Sequence, residues 1–328
     1  MKFFKKIERD NLNLSIQLMD TLNQVEINDF LKSYYKSFGV RSSLNFNWFH
    51  WFYNENPIGK CQNYILKNEQ DNIVGGFGYS LFNYFSKGIK KVGVIGVNGF
   101  INPDYTGLGL YTQLITESLK DILKSHELAF SLPHSENIAS IKGHLNSGWK
   151  LVKKLDFYVK YINLKDNIPS NKNINVIDIP ALRNFDFNYS RGSYLIKSYD
   201  WLNWRFNRRP NKQYNTLVYT LSDTIKGYVI YTLYIDKDGN TRCQVADYEY
   251  IEKTIFVQLL ENLCFIGSEN NYQTIEFLVN EEYSDTKILK DLSFIKKNES
   301  YHMFGNGNLT KFENNRNFKF EYGYFDVV

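Results

Sequence analysis

Gly107 and Gly109 stand one residue apart, just after a proline turn at Pro103 and at the start of an amphipathic helical pattern. Glycine reaches positive φ at little steric cost and lets a ligand approach the backbone. The N–H groups of Thr106, Gly107, Leu108, Gly109, Leu110 and Tyr111 are thereby placed to converge on one pyrophosphate. The positive end of the following helix adds to this. Two other phosphate devices are excluded. No third glycine and no acidic residue complete a dinucleotide fingerprint, and no Gly-Lys-Ser/Thr makes a Walker loop. A Gly-x-Gly pair also occurs in ordinary turns, so the elements around it must decide.

The other chemistry-bearing residue types are sparse. No His, Cys and carboxylate set has metal-ligand spacing, so no metal is expected. No Gly-x-Ser-x-Gly nucleophile elbow is present. The cysteines Cys61, Cys243 and Cys264 are odd in number and far apart, which argues against a disulfide framework and for a reducing compartment.

The apolar run Val92, Val94, Ile95, Val97 predicts a strand over 91–100 that leads into the glycines. Behind them, Leu114, Ile115, Leu119, Ile122 and Leu123 form one helix face over 110–125, with Gln113, Glu117, Lys120, Asp121 and Lys124 opposite. A short strand over 128–132 ends at Pro133. A short helix over 137–146 stops at Gly148, and a strand follows over 150–162. Upstream, apolar spacing predicts helix over 12–38, and strands over 63–67 and 73–82 read as a hairpin.

Hydrophobic residues make up 43% and charged residues 23%, a globular composition. Aromatics reach 17% and run through the whole chain, which fits an aromatic core or a sugar- or base-stacking surface. The net charge of +4 is too mild for a nucleic-acid partner and compatible with an anionic small ligand. The N-terminal residues have no apolar run behind the basic ones, and no segment is long and apolar enough to span a membrane. A soluble cytoplasmic protein is expected; oligomeric state is not encoded in any feature of the sequence.

The 328 residues suggest two domains, and the chain repeats itself. Trp48, Trp51 and Pro57 recur at one common offset as Trp201, Trp204 and Pro210, and Ile73–Phe77 is echoed by Ile225–Val229. Each Trp-x-x-Trp segment is expected to pack in its own copy. The expectation is a mixed αβ fold in two copies, 1–162 and 181–328, with a polar linker over 163–180. The second copy lacks the glycines: Ala246–Glu252 stands in their place and is acidic.

The stretch from Val97 to Tyr111 resembles the acyl-CoA-binding motif of the GNAT acyltransferases, a strand followed by a proline and a Gly-x-Gly/Ala that opens a helix. The segment from Asn137 to Trp149 is similar to the family's downstream motif, keeping Asn137, Ser140 and Gly148-Trp149 in register. The tandem layout and the Trp-x-x-Trp segments resemble a bacterial subgroup associated with surface-polysaccharide synthesis. The resemblance implies two GNAT-like domains, each a mixed, mostly antiparallel sheet flanked by helices, with acetyl-CoA or another acyl-CoA as co-substrate.

It further implies direct acyl transfer to the amino group of a small polar acceptor, such as an amino sugar or nucleotide-amino sugar. The loop residues Thr106–Tyr111 would hold the pyrophosphate, and Phe100 and Ile101 the pantetheine and thioester carbonyl. Asn137 and Ser140 match the downstream motif. The chain departs from the family in two places. Asp104-Tyr105-Thr106 replaces the usual basic or Gln residue, and His144 replaces the usual Tyr, which makes His144 the expected acid for the thiolate. His134 and Glu136 are the candidate bases. Two alternatives stay open, a Fem-type aminoacyl transferase and a non-catalytic module on the same fold.

Overall fold

The computed structural model describes residues 3–9, 12–40, 44–86, 88–162, 173–185, 195–280 and 285–309. The first ten residues of the expected linker, 163–172, and the end of the second expected copy, 310–328, lie outside them. The chain divides into two compact units, Met1–Lys154 with the described residues 301–309, and Leu155–Ser300.

The first unit begins with β1 (Phe3–Arg9) and β2 (Leu12–Leu18), then α1 (Gln24–Phe38) and α2 (Phe46–Asn54). The helix expected over 12–38 is therefore a strand followed by a helix. Leu14 and Ile16 alternate with more exposed neighbours at period two, a strand pattern that a helical count over the longer window conceals. The helix starts where Asn23 caps the N–H groups of Val25 and Glu26. The hairpin follows as β3 (Gln62–Lys67) and β4 (Ile73–Ser86), and then β5 (Ile89–Ile101).

A 3₁₀ turn over Pro103–Tyr105 and the glycines lead to α3 (Leu110–Ile122), β6 (Leu128–Ser131), α4 (Ile138–Asn146) and β7 (Lys150–Tyr161). Strands β1 to β5 pair antiparallel in chain order. β6 pairs parallel to β5. Helices cover both faces of this sheet, as successive residues of β4 show. A Cβ on Gly76 would meet Phe30 of α1, and one on Gly78 would meet Tyr53 of α2. Phe77, between them, packs on Tyr111 of α3 and His144 of α4.

The second unit holds β8 (Ile174–Ile177), β9 (Leu195–Ile196), α5 (Tyr199–Leu202), β10 (Asn215–Leu221), β11 (Thr224–Ile235) and β12 (Thr241–Tyr250). After these come α6 (Lys253–Glu269), β13 (Thr274–Val279), α7 (Asp285–Asp291) and β14 (Ile295–Gly307). β8, β10, β11 and β12 pair antiparallel, and β13 joins parallel to β12. Phe256, Leu259, Leu260 and Leu263 of α6 pack on Val229, Tyr231, Cys243 and Val245 in one buried core.

The chain crosses between units inside two strands. Within β7 the residues up to Lys154 belong to the first unit, and those from Leu155, which pair with β13, to the second. β14 returns at Tyr301, and its residues Phe304–Gly307 pair antiparallel with β6. No helix among the described residues is long and apolar enough to cross a membrane.

Candidate functional site

β5 and β6 run together for only three pairs, Val94 with Ala129, Ile95 with Phe130 and Gly96 with Ser131. β6 then ends, while β5 continues to Ile101. The two strands form a fork. Just past it β5 bulges. Gly76 pairs with Phe100 and Gly78 with Val97, so Phe77 faces two residues, Asn98 and Gly99. Asn98 takes φ 54, a conformation unusual for a residue with a side chain. Its side-chain amide is tied to the Tyr53 hydroxyl at 3.1 Å.

Beyond the bulge the alternation of backbone groups can be followed. The Asn102 N–H donates to the Val74 carbonyl on the β4 side. Ile101, one residue back, therefore turns its own N–H and carbonyl to the opposite, open edge. Its carbonyl accepts from the Ser37 hydroxyl there, and its N–H is left facing the fork. Phe100 turns its N–H toward β4 and its ring onto Phe30 and Tyr34. Of the two β5 residues expected to contact a thioester, the geometry leaves Ile101 with a usable donor and Phe100 without one.

The loop that follows is turned by its glycines. Gly107 has φ 81 and Gly109 φ 68, and Gly109 sits at the N-cap of α3 without a side-chain cap. The first hydrogen bond of the helix runs from the Gln113 N–H to the Gly109 carbonyl. The N–H groups of Leu110, Tyr111 and Thr112 are the orphan donors of that helix end. Gly107 is exposed, with no heavy atom near the position a Cβ would take. Backbone donors at a helix N-terminus, reachable from solvent, make an anion cradle.

Charge enters this cradle from outside the motif. Lys36, in the last turn of α1, pairs with Asp104 at the start of the loop. Asp104 is thus partly neutralised, and a cation lies where the family pattern has a basic residue in the loop itself. Sequence spacing gave no hint of Lys36, which is distant in the chain.

On the α3–α4 side, the Tyr111 hydroxyl bonds to Ser140 Oγ at 3.1 Å. A Cβ on Gly99 would lie 2.6 Å from that hydroxyl oxygen, so the phenol reaches the bulge of β5. Burial pushes its pKa up to about 12, which keeps it a protonated donor at neutral pH. Asn137 caps α4 by accepting from the Ser140 N–H at 3.0 Å, and so fixes Ser140 beneath Tyr111. Tyr111 and Ser140 were expected as residues of the motif; their pairing needs the helix packing.

His144 is fully buried. Its Nδ1 lies 2.7 Å from the Ser140 carbonyl and donates to it, while Nε2 is buried without a partner among Phe77, Tyr111, Trp149 and Phe304. Burial pushes its pKa down to about 4. A neutral imidazole whose one N–H is given to the Ser140 carbonyl and whose other nitrogen is sealed by rings has no acidic proton for a thiolate and no path to it. The acid role expected for His144 is therefore revised to packing that seats α4.

His134 lies past the end of β6 and pairs as a bridge with Tyr301, whose ring meets the imidazole edge-on at 5.1 Å. Its Nδ1 accepts from the Glu136 N–H at 3.3 Å. The Glu136 carboxylate is 3.8 Å away and 80% exposed. Among the described residues no group of three His, Cys, Asp or Glu is placed to hold a metal ion.

No protein-family model matches the sequence, and no curated protein sequence matches it. Solved structures do. A probable N-acyltransferase of Enterococcus faecalis V583 superposes with a TM-score of 0.65 at 17% identity, covering 91% of this chain and 74% of that one. A GCN5-related N-acetyltransferase from Anabaena variabilis ATCC 29413 gives 0.64 at 14%, covering 90% and 74%. Saccharomyces cerevisiae N-myristoyltransferase with bound myristoyl-CoA gives 0.62 at 12%, covering 89% and 82%. The fold is that of the GNAT N-acyltransferases. Its mixed sheet, flanked by helices on both faces, is the architecture expected from the motif, and the fork and the glycine-turned helix start are the parts of the GNAT fold described above.

Proposed function

We propose that this chain is an acyl-CoA-dependent N-acyltransferase, most simply an N-acetyltransferase, built from two GNAT-like copies of which the first holds the acyl donor. The observation that carries this is the continuity of the open β5 edge at Gly99–Ile101 with the unpaired N–H groups at the start of α3. A pyrophosphate at 106–111 and a thioester at Ile101 are the two ends of one extended ligand laid along that edge. The GNAT-fold neighbours, one with myristoyl-CoA bound, support the same reading.

In the proposed reaction the amine nitrogen attacks the thioester carbonyl carbon, a C–N bond forms, and the C–S bond breaks. The Ile101 N–H polarises the carbonyl oxygen. The Tyr111 hydroxyl, oriented by Ser140, donates a hydrogen bond to the departing sulfur, which leaves as thiolate and then takes a proton from water. The amine loses its proton to His134 Nδ1, directly or through water, the nitrogen giving up the Glu136 N–H as it takes the proton, with the Glu136 carboxylate as the alternative acceptor. Holding the two reactants together supplies most of the acceleration. An amino sugar or nucleotide-amino sugar, in surface-polysaccharide synthesis in the cytoplasm, is the acceptor that the sequence resemblance favours.

The test is calorimetry with acetyl-CoA, then thiol release over a panel of amines with the wild type and Tyr111→Phe. The expected result is micromolar to millimolar binding, turnover with at least one amine, and a kcat about 100-fold lower in the variant at an unchanged donor affinity. Absence of binding at millimolar acetyl-CoA removes the acyl-CoA reading. Binding without thiol release favours a non-catalytic module.

A further inference from the structure

Two phenols hold the β5 bulge, one on each face of the sheet, and the transfer chemistry uses only one of them. On the α3 side the Tyr111 hydroxyl fills the gap left by Gly99. On the α2 side the Tyr53 hydroxyl fills the gap left by Gly78, where an added Cβ would collide with it, and accepts from the Asn98 amide at 3.1 Å. The strand ladder does not do this work. The Asn102 N–H bonds to the Val74 carbonyl, so Gly76 and Gly78 also turn their backbone groups to β5. Phe77, opposite the bulge, turns its own to β3, where it pairs with Tyr64. β6 has ended at Ser131, opposite Gly96.

Asn98 is, among the described residues, the one non-glycine at positive φ inside a strand; the others stand in turns or loops. Its Oδ1 is buried without a partner, so Tyr53 is the tether of the amide. Tyr53 is itself fully buried, and burial raises its pKa, so the phenol keeps its proton and its oxygen accepts. The ring is seated on Phe49 at 4.4 Å, in a helix packed by Trp48 stacked on Phe52 at 4.8 Å. The Trp-x-x-Trp segment thus delivers Tyr53 to the bulge. The second copy provides a contrast. At the offset that sets Trp48 on Trp201 and Trp51 on Trp204, Tyr53 falls on Phe206, which has no hydroxyl. The bulge there, at Ala246, has no residue at positive φ.

We propose that the Asn98–Tyr53 hydrogen bond is a positioning device for acyl transfer, holding the bulge in its left-handed turn. This rests on the acyl-transfer reading and adds to it a residue, Tyr53, that touches neither reactant. One extra residue in a strand reverses the alternation of everything beyond it. The bulge is therefore what turns the Ile101 N–H to the open edge and Gly99 to the Tyr111 hydroxyl. Without it Phe100 and Ile101 exchange directions, and the carbonyl loses its donor.

Two measurements on the full chain test this. In the first, Tyr53→Phe removes one oxygen and keeps the ring. A kcat about 10-fold lower is expected, with KM for acetyl-CoA within about 2-fold, because the glycine loop is untouched. Asn98→Ala should lose at least as much. Glycine reaches positive φ unaided, so the double variant Tyr53→Phe/Asn98→Gly should regain most of the kcat lost in Tyr53→Phe. A Tyr53→Phe protein with a lowered Tm and an unchanged kcat overturns the proposal, and so does failure of the glycine rescue. In the second, the Gly99 backbone amide and the Asn98 side-chain amide are followed by NMR, which needs no turnover. Both signals should shift in Tyr53→Phe, and the Gly99 signal should return in the double variant. Unmoved signals overturn the tether, whatever the activity proves to be. Acetyl-CoA calorimetry run alongside separates these outcomes from failure of the donor site.

Discussion

The two units carry the same frame and differ in what joins its strands. In the first, β5 and β6 share three parallel pairs after a crossover through α3; in the second, β12 and β13 share three after a crossover through α6. Both have a bulge in the strand before the crossover, at Asn98–Gly99 and at Ala246. Residues 102–109 connect β5 to α3, with two glycines at positive φ. Only Ile251 and Glu252 connect β12 to α6, and Glu252 is an N-cap without a side-chain bond. The second helix start thus has no slack to wrap an anion and puts a carboxylate where one would go.

The bulges diverge too. Gly99 leaves room for the Tyr111 hydroxyl. In the second unit Asp247 is fully buried, with Lys197 Nζ at 3.1 Å and the Tyr228 hydroxyl at 2.9 Å on the same oxygen. Burial pushes its carboxyl pKa up, and Lys197 pulls it back. One frame is left open for a ligand, and the other is filled by its own ion pair. The two units thus differ in a loop and a few small residues, while the strand pairing is alike.

The largest effect that can break this comparison is Gly107→Asp. A carboxylate about 4–5 Å from the pyrophosphate should weaken acetyl-CoA binding by roughly two to three orders of magnitude; the new Cβ meets nothing but sits at φ 81, so its strain falls on the exposed loop and the circular dichroism spectrum should keep its shape. Calorimetry of the wild type should give one site per chain; two sites would show that the second unit also binds.

Next in size is the acid response of the first unit. His144 has a folded pKa near 4 against 6.5 unfolded, so the unfolded chain takes a proton first. This contribution to stability is complete above pH 6.5 and is lost as pH falls from 6.5 toward 4, to a total of about 3 kcal/mol. Unfolding followed between pH 7 and 4 should show this slope, and His144→Phe should flatten it; an unchanged slope would place the acid sensitivity elsewhere.

The smallest effect expected is at Lys36 and Asp104, a half-exposed pair worth about 0.5–1 kcal/mol. Lys36→Ala should weaken acetyl-CoA binding about 2- to 5-fold, and Asp104→Asn should strengthen it by a similar factor. The difference should shrink with added salt. Opposite signs, or no salt dependence, would remove Lys36 from the donor site.

The strand–glycine–helix core of the site could be read directly because its determinants are local: a β-favouring run, two glycines with positive φ, and an amphipathic period all lie between Val92 and Ile122. The hairpin before it and the helix at 138–146 are legible for the same reason. The strand at Leu12–Leu18 was hidden because two periods overlap in one window. Phe100 and Ile101 looked equivalent in sequence, and only the alternation set by the Asn102–Val74 bond separated them.

Other parts depend on contacts between residues far apart in the chain. Whether His144 can give a proton depends on four rings that surround it, one of them Phe304, delivered by β14. Lys36 reaches the loop only because α1 packs along β5, and Tyr301 reaches His134 only because β14 extends past β6. The sequence by itself determined the glycine turn and the αβ class, since backbone conformation and periodicity are written in neighbouring residues. The tertiary structure decided which side chains are charged, reachable and facing that turn, since burial and Coulomb interactions depend on distances that chain order does not set.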